Sequence, residues 1–87
     1  MVKKICIAGA GTMGSGIALA AAQNNFEAIL FDINEKGIEN AKLAIEKNLA
    51  FLLSKGKISA DEKQAIENRI SFTSTINDCR ADLVIEA

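Results

Sequence analysis

The sequence predicts an α/β fold, the N-terminal half of a Rossmann-type doubly wound parallel sheet with strand order 3-2-1-4. Three observations carry this. Gly9-Ala10-Gly11-Thr12-Met13-Gly14 lies between an apolar run, residues 5–8, and a stretch of small residues, 17–22. Asp32 closes the next apolar run, residues 28–31. Downstream, helical periodicity returns before two more short apolar runs. Right-handed crossovers then order the strands 3-2-1-4, with helices expected on both faces of the sheet.

Each element has its own signal. Residues 2–8 are almost continuously apolar after Lys3-Lys4, the pattern of a central parallel strand. Residues 12–23 form a helix of small side chains suited to close packing. Asn24-Asn25 is its stop, since Asn tolerates the left-handed conformation. Residues 26–33 form the second strand. Asn34 is an N-cap, with Glu35 in the first turn. A long helix follows over 35–55, with Ile38, Ala41, Ile45, Leu49 and Leu52 on one face. Gly56 is its glycine cap. Ser59-Ala60-Asp61-Glu62 is a capping box for a short helix over 60–68. Residues 70–73 and 82–87 are the third and fourth strands.

The glycine loop carries the chemistry. Gly9 allows a tight turn off the strand. Gly11 lets backbone come close to a pyrophosphate, and Gly14 lets the helix pack against the strands. Thr12 and Met13 N–H groups at the helix start face the phosphates, aided by the helix dipole. No basic residue lies within 9–22, and none is needed. Asp32 stands 18 positions after Gly14, close to the spacing of about 20 expected of a ribose-binding carboxylate. A 2′-phosphate would meet like charge there, and Ile33, Asn34 and Glu35 supply no arginine. NAD is favoured over NADP. FAD ranks below NAD: Ala18 fits a longer flavoprotein glycine pattern, but glutamate is more usual at the Asp32 position.

Composition narrows the class. The chain has 87 residues, 49% hydrophobic, with net charge −1 and no proline. That suits one small folded domain. Near-neutral charge and the absence of a basic patch with interleaved aromatics disfavour nucleic acid. No apolar stretch reaches the roughly 18 residues of a membrane span. The two cysteines, Cys6 and Cys79, make no CxxC pair, and no histidine completes a zinc set, so no metal is expected. Cys6 reads as a core residue and Cys79 as a loop or strand-edge thiol, in a reduced cytoplasmic protein.

Residues 4–18 closely resemble the start of the 3-hydroxyacyl-CoA dehydrogenase family, nearest to its bacterial 3-hydroxybutyryl-CoA subgroup. Phe31-Asp32-Ile33, Asn48-Leu49, Lys55-Gly56-Lys57-Ile58, Arg69-Ile70-Ser71 and the closing run Asp82-Leu83-Val84-Ile85-Glu86-Ala87 extend the match along the whole chain. The resemblance implies reversible, NAD-dependent oxidation of the 3-hydroxyl of an acyl-CoA, in β-oxidation or butanoate metabolism. It implies that residues 9–14 and Asp32 hold NAD, with Ala87 beside the cofactor. It also makes the helical hairpin between strands 2 and 3 an arm for CoA. Asn48 and Lys55 are its contacts, although Asn48 replaces a residue that is often Ser. Periodicity alone places those two on nearly one helical face and leaves a solvated loop as the default reading of the basic tip at Lys55-Gly56-Lys57.

The family's catalytic histidine and its orienting glutamate belong to later sequence, and this chain has no histidine. The expectation is an N-terminal portion, residues 1–87, of a longer NAD-binding domain, inactive alone and without the family's helical C-terminal domain. The competing reading is a stand-alone dinucleotide-binding module without catalysis, which sequence continuing past Ala87 would decide. Strand 4 is expected as an exposed edge that favours a homo-oligomer, a dimer, or low solubility.

Overall fold

In the computed structural model, described for residues 3–9 and 11–86, the elements alternate as the sequence predicts. They are β1 (Lys4–Ala8), α1 (Thr12–Gln23), β2 (Glu27–Phe31), α2 (Glu35–Ser54), α3 (Ala60–Arg69), β3 (Ile70–Thr73) and β4 (Leu83–Glu86), with a 3-10 turn at Ile76–Asp78. The strands are parallel in the order β3-β2-β1-β4. β1 is central, with Cys6 opposite Ile29 on one side and Val84 on the other. Val2, at the start of the predicted first strand, lies outside the described residues.

The helix ends follow from local chemistry. Asn25 has φ 69°, and the Phe26 and Asn25 N–H groups donate to the Ala21 and Ala22 carbonyls. Gly56 repeats the arrangement at φ 70°, with Lys57 donating to Leu52 and Gly56 to Leu53. Both are Schellman closures, which satisfy carbonyls that the last helical turn leaves open. At the starts, the Asn34 side chain accepts from the Lys36 N–H. Ser59 and Glu62 form a reciprocal capping box.

The core is one cluster. Ile5 and Ile7 of β1, Ala28 and Leu30 of β2 and Ile70 of β3 meet Ala18, Ala21 and Ala22 of α1. Ala41, Ile45 and Leu49 of α2 and Ile66 of α3 close over them. Alternate strand residues face opposite ways, so these all belong to one face of the sheet. The expected arrangement of helices on both faces is therefore not what forms: α1, α2 and α3 share one face. The steps from β1 to β2 and from β2 to β3 run in the same direction across the sheet. A constant crossover hand then returns both helical connections on the same side. Only the connection from β3 to β4 runs back, and it contains a 3-10 turn and no α-helix.

That connection produces a second correction. Cys6 and Cys79 are not separate thiols but are joined as a disulfide across 73 positions. Cys6 lies on the sheet face opposite the helices, and the β3–β4 connection carries Cys79 over it. Residue spacing hid the contact, because it depends on β4 pairing beside β1.

Asp82 fastens the same region at the strand edge. Its carboxylate accepts from the Lys3 and Lys4 N–H groups at 2.9 and 3.0 Å, and its own N–H donates to the Lys4 carbonyl. Those two backbone donors hold its carboxyl below the usual aspartate range. The stabilisation is present above the unfolded-state value, near pH 4, and is lost as pH falls through the lower folded-state value. Asp82→Asn keeps an acceptor but removes the titration. It should lower the urea midpoint at neutral pH and flatten the fall in that midpoint under acid, measured across pH for both chains.

Candidate functional site

The site forms where β1 and β2 end. Gly9 turns off β1 with φ 110°, and its N–H donates to the Phe31 carbonyl at 2.8 Å. A positive φ of this size strongly favours glycine. Gly14, inside α1, sits directly against it. A Cβ at Gly14 would lie 1.8 Å from the Gly9 carbonyl oxygen. No side chain fits there, so the third glycine of the loop permits close contact between helix and strand end.

Gly11 has the opposite environment. It is the N-cap of α1, it is exposed, and a Cβ there would meet nothing within 4 Å. It makes no side-chain cap, unlike Asn34 and Ser59 at the other two helices. The leading N–H groups of a helix have no intrahelical acceptor. At α1 those groups belong to Thr12, Met13 and Gly14. The backbone therefore offers donors and the positive end of a helix dipole beside an open position, which suits an anionic group. Ser15 is buried and donates its hydroxyl to the Gly11 carbonyl at 3.0 Å, which fixes the loop from below. The loop pattern had not marked Ser15; its small polar side chain on the inner face of α1 was the available signal.

Asp32 shares this space. A cleft of about 250 Å³ is lined by Gly11, Thr12, Ser15, Asp32, Gly37 and Asn40, with Ala41 and Ala44 at its side. The Asp32 carboxylate accepts from the Asn34 N–H at 2.9 Å, and its backbone N–H donates to the Thr73 carbonyl. It is held at the end of β2 while remaining partly exposed. Gly37 and Asn40 were not among the predicted site residues. They enter because α2 lies beside α1, which periodicity alone does not fix.

The remaining predicted residues fall elsewhere. Ala10 and Ala87 lie outside the described residues. Asn48 is exposed on α2, one turn beyond Ala44 on the same side of the helix. Lys55 is the C-cap of α2, with its ammonium 5.6 Å from the centre of the Phe51 ring. Neither lines the cleft. They continue a stripe that begins there and ends at the hairpin tip, roughly 16 Å further along at 1.5 Å per residue. Among the described residues no cluster of His, Cys, Asp and Glu could hold a metal, and no helix is long and apolar enough to cross a membrane.

A parallel β-α-β unit, a glycine loop opening a helix and a carboxylate at the end of the second strand together define a dinucleotide-binding domain. The chain belongs to the 3-hydroxyacyl-CoA dehydrogenase family, matching its NAD-binding domain over residues 4–87. A Bacillus subtilis protein described as a probable 3-hydroxybutyryl-CoA dehydrogenase is 41% identical over 87 residues, covering 99% of this chain and 30% of that protein. The 3-hydroxyadipyl-CoA dehydrogenase of Escherichia coli is 33% identical over 99% of this chain and 18% of its own length. The crystal structure of (S)-3-hydroxybutyryl-CoA dehydrogenase from Ralstonia eutropha superposes with a TM-score of 0.95 at 31% identity. That match covers 100% of this chain and 31% of the other. The chain thus spans about a third or less of the length of these relatives. NAD is the cofactor of this domain, and the cleft suits it: an open glycine, helix N–H donors and an acidic residue share one wall.

The two helix-start glycines separate experimentally. Gly11→Ala should fold with an unchanged urea midpoint yet bind NADH more weakly, because its Cβ enters the open position. Gly14→Ala should lose stability by about 1–3 kcal/mol or more through the overlap with Gly9. Urea titration and NADH titration of both variants check this.

Proposed function

We propose that this chain is the NAD-binding part of an oxidoreductase that interconverts a 3-hydroxyacyl-CoA, of the 3-hydroxybutyryl-CoA type, with its 3-oxoacyl-CoA. The observation that carries this is the meeting of Gly11, Thr12 and Asp32 in one cleft. Bound NAD supplies the hydride acceptor. The chain's own residues bind and orient it. Gly9 and Gly14 set the backbone so that the N–H groups of Thr12 and Met13 meet the pyrophosphate. Ala10 is proposed as a cofactor-binding residue from its place in the glycine motif alone. Asp32 accepts from the adenosine ribose and repels a 2′-phosphate. Ala87 follows β4, whose C-terminal end runs parallel to that of β1 and towards the same edge.

The hairpin is the proposed CoA arm. Lys55 offers a cation and Asn48 an amide along one stripe of α2, both exposed. The acyl chain is not selected by any residue described, and the relatives' names span butyryl and adipyl substrates. With no histidine among the 87 residues, the chain carries no counterpart of the family's general base. It binds cofactor and does not turn over alone.

The parent protein is proposed to be cytoplasmic and homodimeric. β4 forms one margin of the sheet, and Leu83 and Val84 are 44% and 54% exposed there. The homodimer of the parent is what the family resemblance implies; in the 87-residue chain made alone, the open margin itself invites pairing. Sedimentation at high concentration should show self-association, and a monodisperse monomer would count against it.

NADH fluorescence tests the cofactor reading directly, since the chain has neither Trp nor Tyr to contribute background. Saturable binding of NADH, weaker binding of NADPH and about a tenfold or greater loss in Asp32→Ala are expected, given roughly 1.5–3 kcal/mol for a hydrogen bond to a charged group. A folded chain that ignores NADH would sink the proposal.

A further inference from the structure

We propose that Cys6 and Cys79 form a reversible dithiol–disulfide couple, a redox modification site that fastens the β3–β4 connection to the sheet. This goes beyond cofactor binding and does not depend on it. The Cα atoms lie 5.6 Å apart, inside the range that a disulfide spans without backbone movement. The two cysteines differ in access. Cys6 is fully buried in the central strand, whereas Cys79 is partly exposed as the C-cap of the 3-10 turn. Cys79 is therefore the entry thiol and Cys6 the resolving one.

The chemistry balances with a low-molecular-weight disulfide such as oxidised glutathione as oxidant. The Cys79 thiolate attacks one sulfur of that disulfide, forms a mixed disulfide and releases one thiolate. The Cys6 thiolate then attacks the Cys79 sulfur, and the second thiolate leaves. Two protein thiols lose two electrons, one external disulfide gains them, and the two protons pass to the released thiolates. Disulfides of cytosolic proteins are mostly transient and redox-sensing, which suits a couple with one reachable partner.

The consequence is local. Asp82 already pins the connection to the Lys3 and Lys4 backbone, and Thr73 donates to the Asp78 carboxylate at 2.8 Å. Between those two points the Cys6–Cys79 bond ties the segment down onto the sheet face, three residues before Gly9. Reduction releases the centre of the connection while its ends stay held.

The test is covalent. The chain is incubated in glutathione buffers of graded ratio, quenched with an alkylating agent and weighed intact. A single two-electron transition is expected, from two alkyl adducts to none. Cys6→Ser should stop at a stable glutathione adduct on Cys79, and Cys79→Ser should take up no glutathione while folded. The oxidised chain should melt on the order of 10 °C or more above the reduced one, because the bond closes a long loop in the unfolded state. Two adducts at every ratio, or equal melting of the two forms, would overturn the proposal. NADH binding is not part of the readout, so failure here leaves the cofactor reading intact, and the reverse holds.

Discussion

The contact between Gly9 and Gly14 sets the geometry of this molecule. A helix residue stands where even one methyl group would overlap a strand-end carbonyl. That contact draws the start of α1 down onto β1, which is why its inner face is built from Ala18, Ala21 and Ala22. Larger residues would lift the helix away. With α1 this close, its N-terminus opens beside the end of β2, and Asp32 and the helix N–H groups come to share one wall. A packing constraint and a binding constraint are thus met by the same few atoms.

The fold was largely legible where chemistry is local. Asn25, Gly56, Asn34 and the Ser59–Glu62 pair act within a few residues of themselves, so their meaning survives without tertiary context. The apolar face of α2 from Ile38 to Leu49 is equally local, and it is the face that becomes buried. Glycine spacing fixed the loop because each glycine answers a separate steric demand. Strand order followed from connection length and handedness.

What the sequence concealed was made by distant segments meeting. The Cys6–Cys79 pair depends on β4 lying beside β1, and Asn40 enters the cleft only because α2 packs along α1. The one-sided helical layer was concealed differently. It was implied by the crossover rule, but the short β3–β4 connection leaves the second face without the helix that a doubly wound sheet leads one to expect. The roles proposed for Asn48 and Lys55 rest on resemblance. Their solvent-exposed positions, on α2 and at its C-cap, would by themselves distinguish them little from any polar residues of a helix.

The placement of β1 has a consequence for how the chain is made. It emerges from the ribosome before the other elements described, yet it lies inside the sheet, and β4, its second neighbour, is the last of those elements to emerge. Asp82 reaches back 79 positions to hold the backbone at Lys3. At about 5–20 residues per second, the strand waits several seconds with one edge unpaired after β2 has arrived. During that interval Cys6 and Ile29, later covered or nearly so, face solvent. An interior strand of the folded sheet is therefore, for that interval, an open edge of the nascent chain.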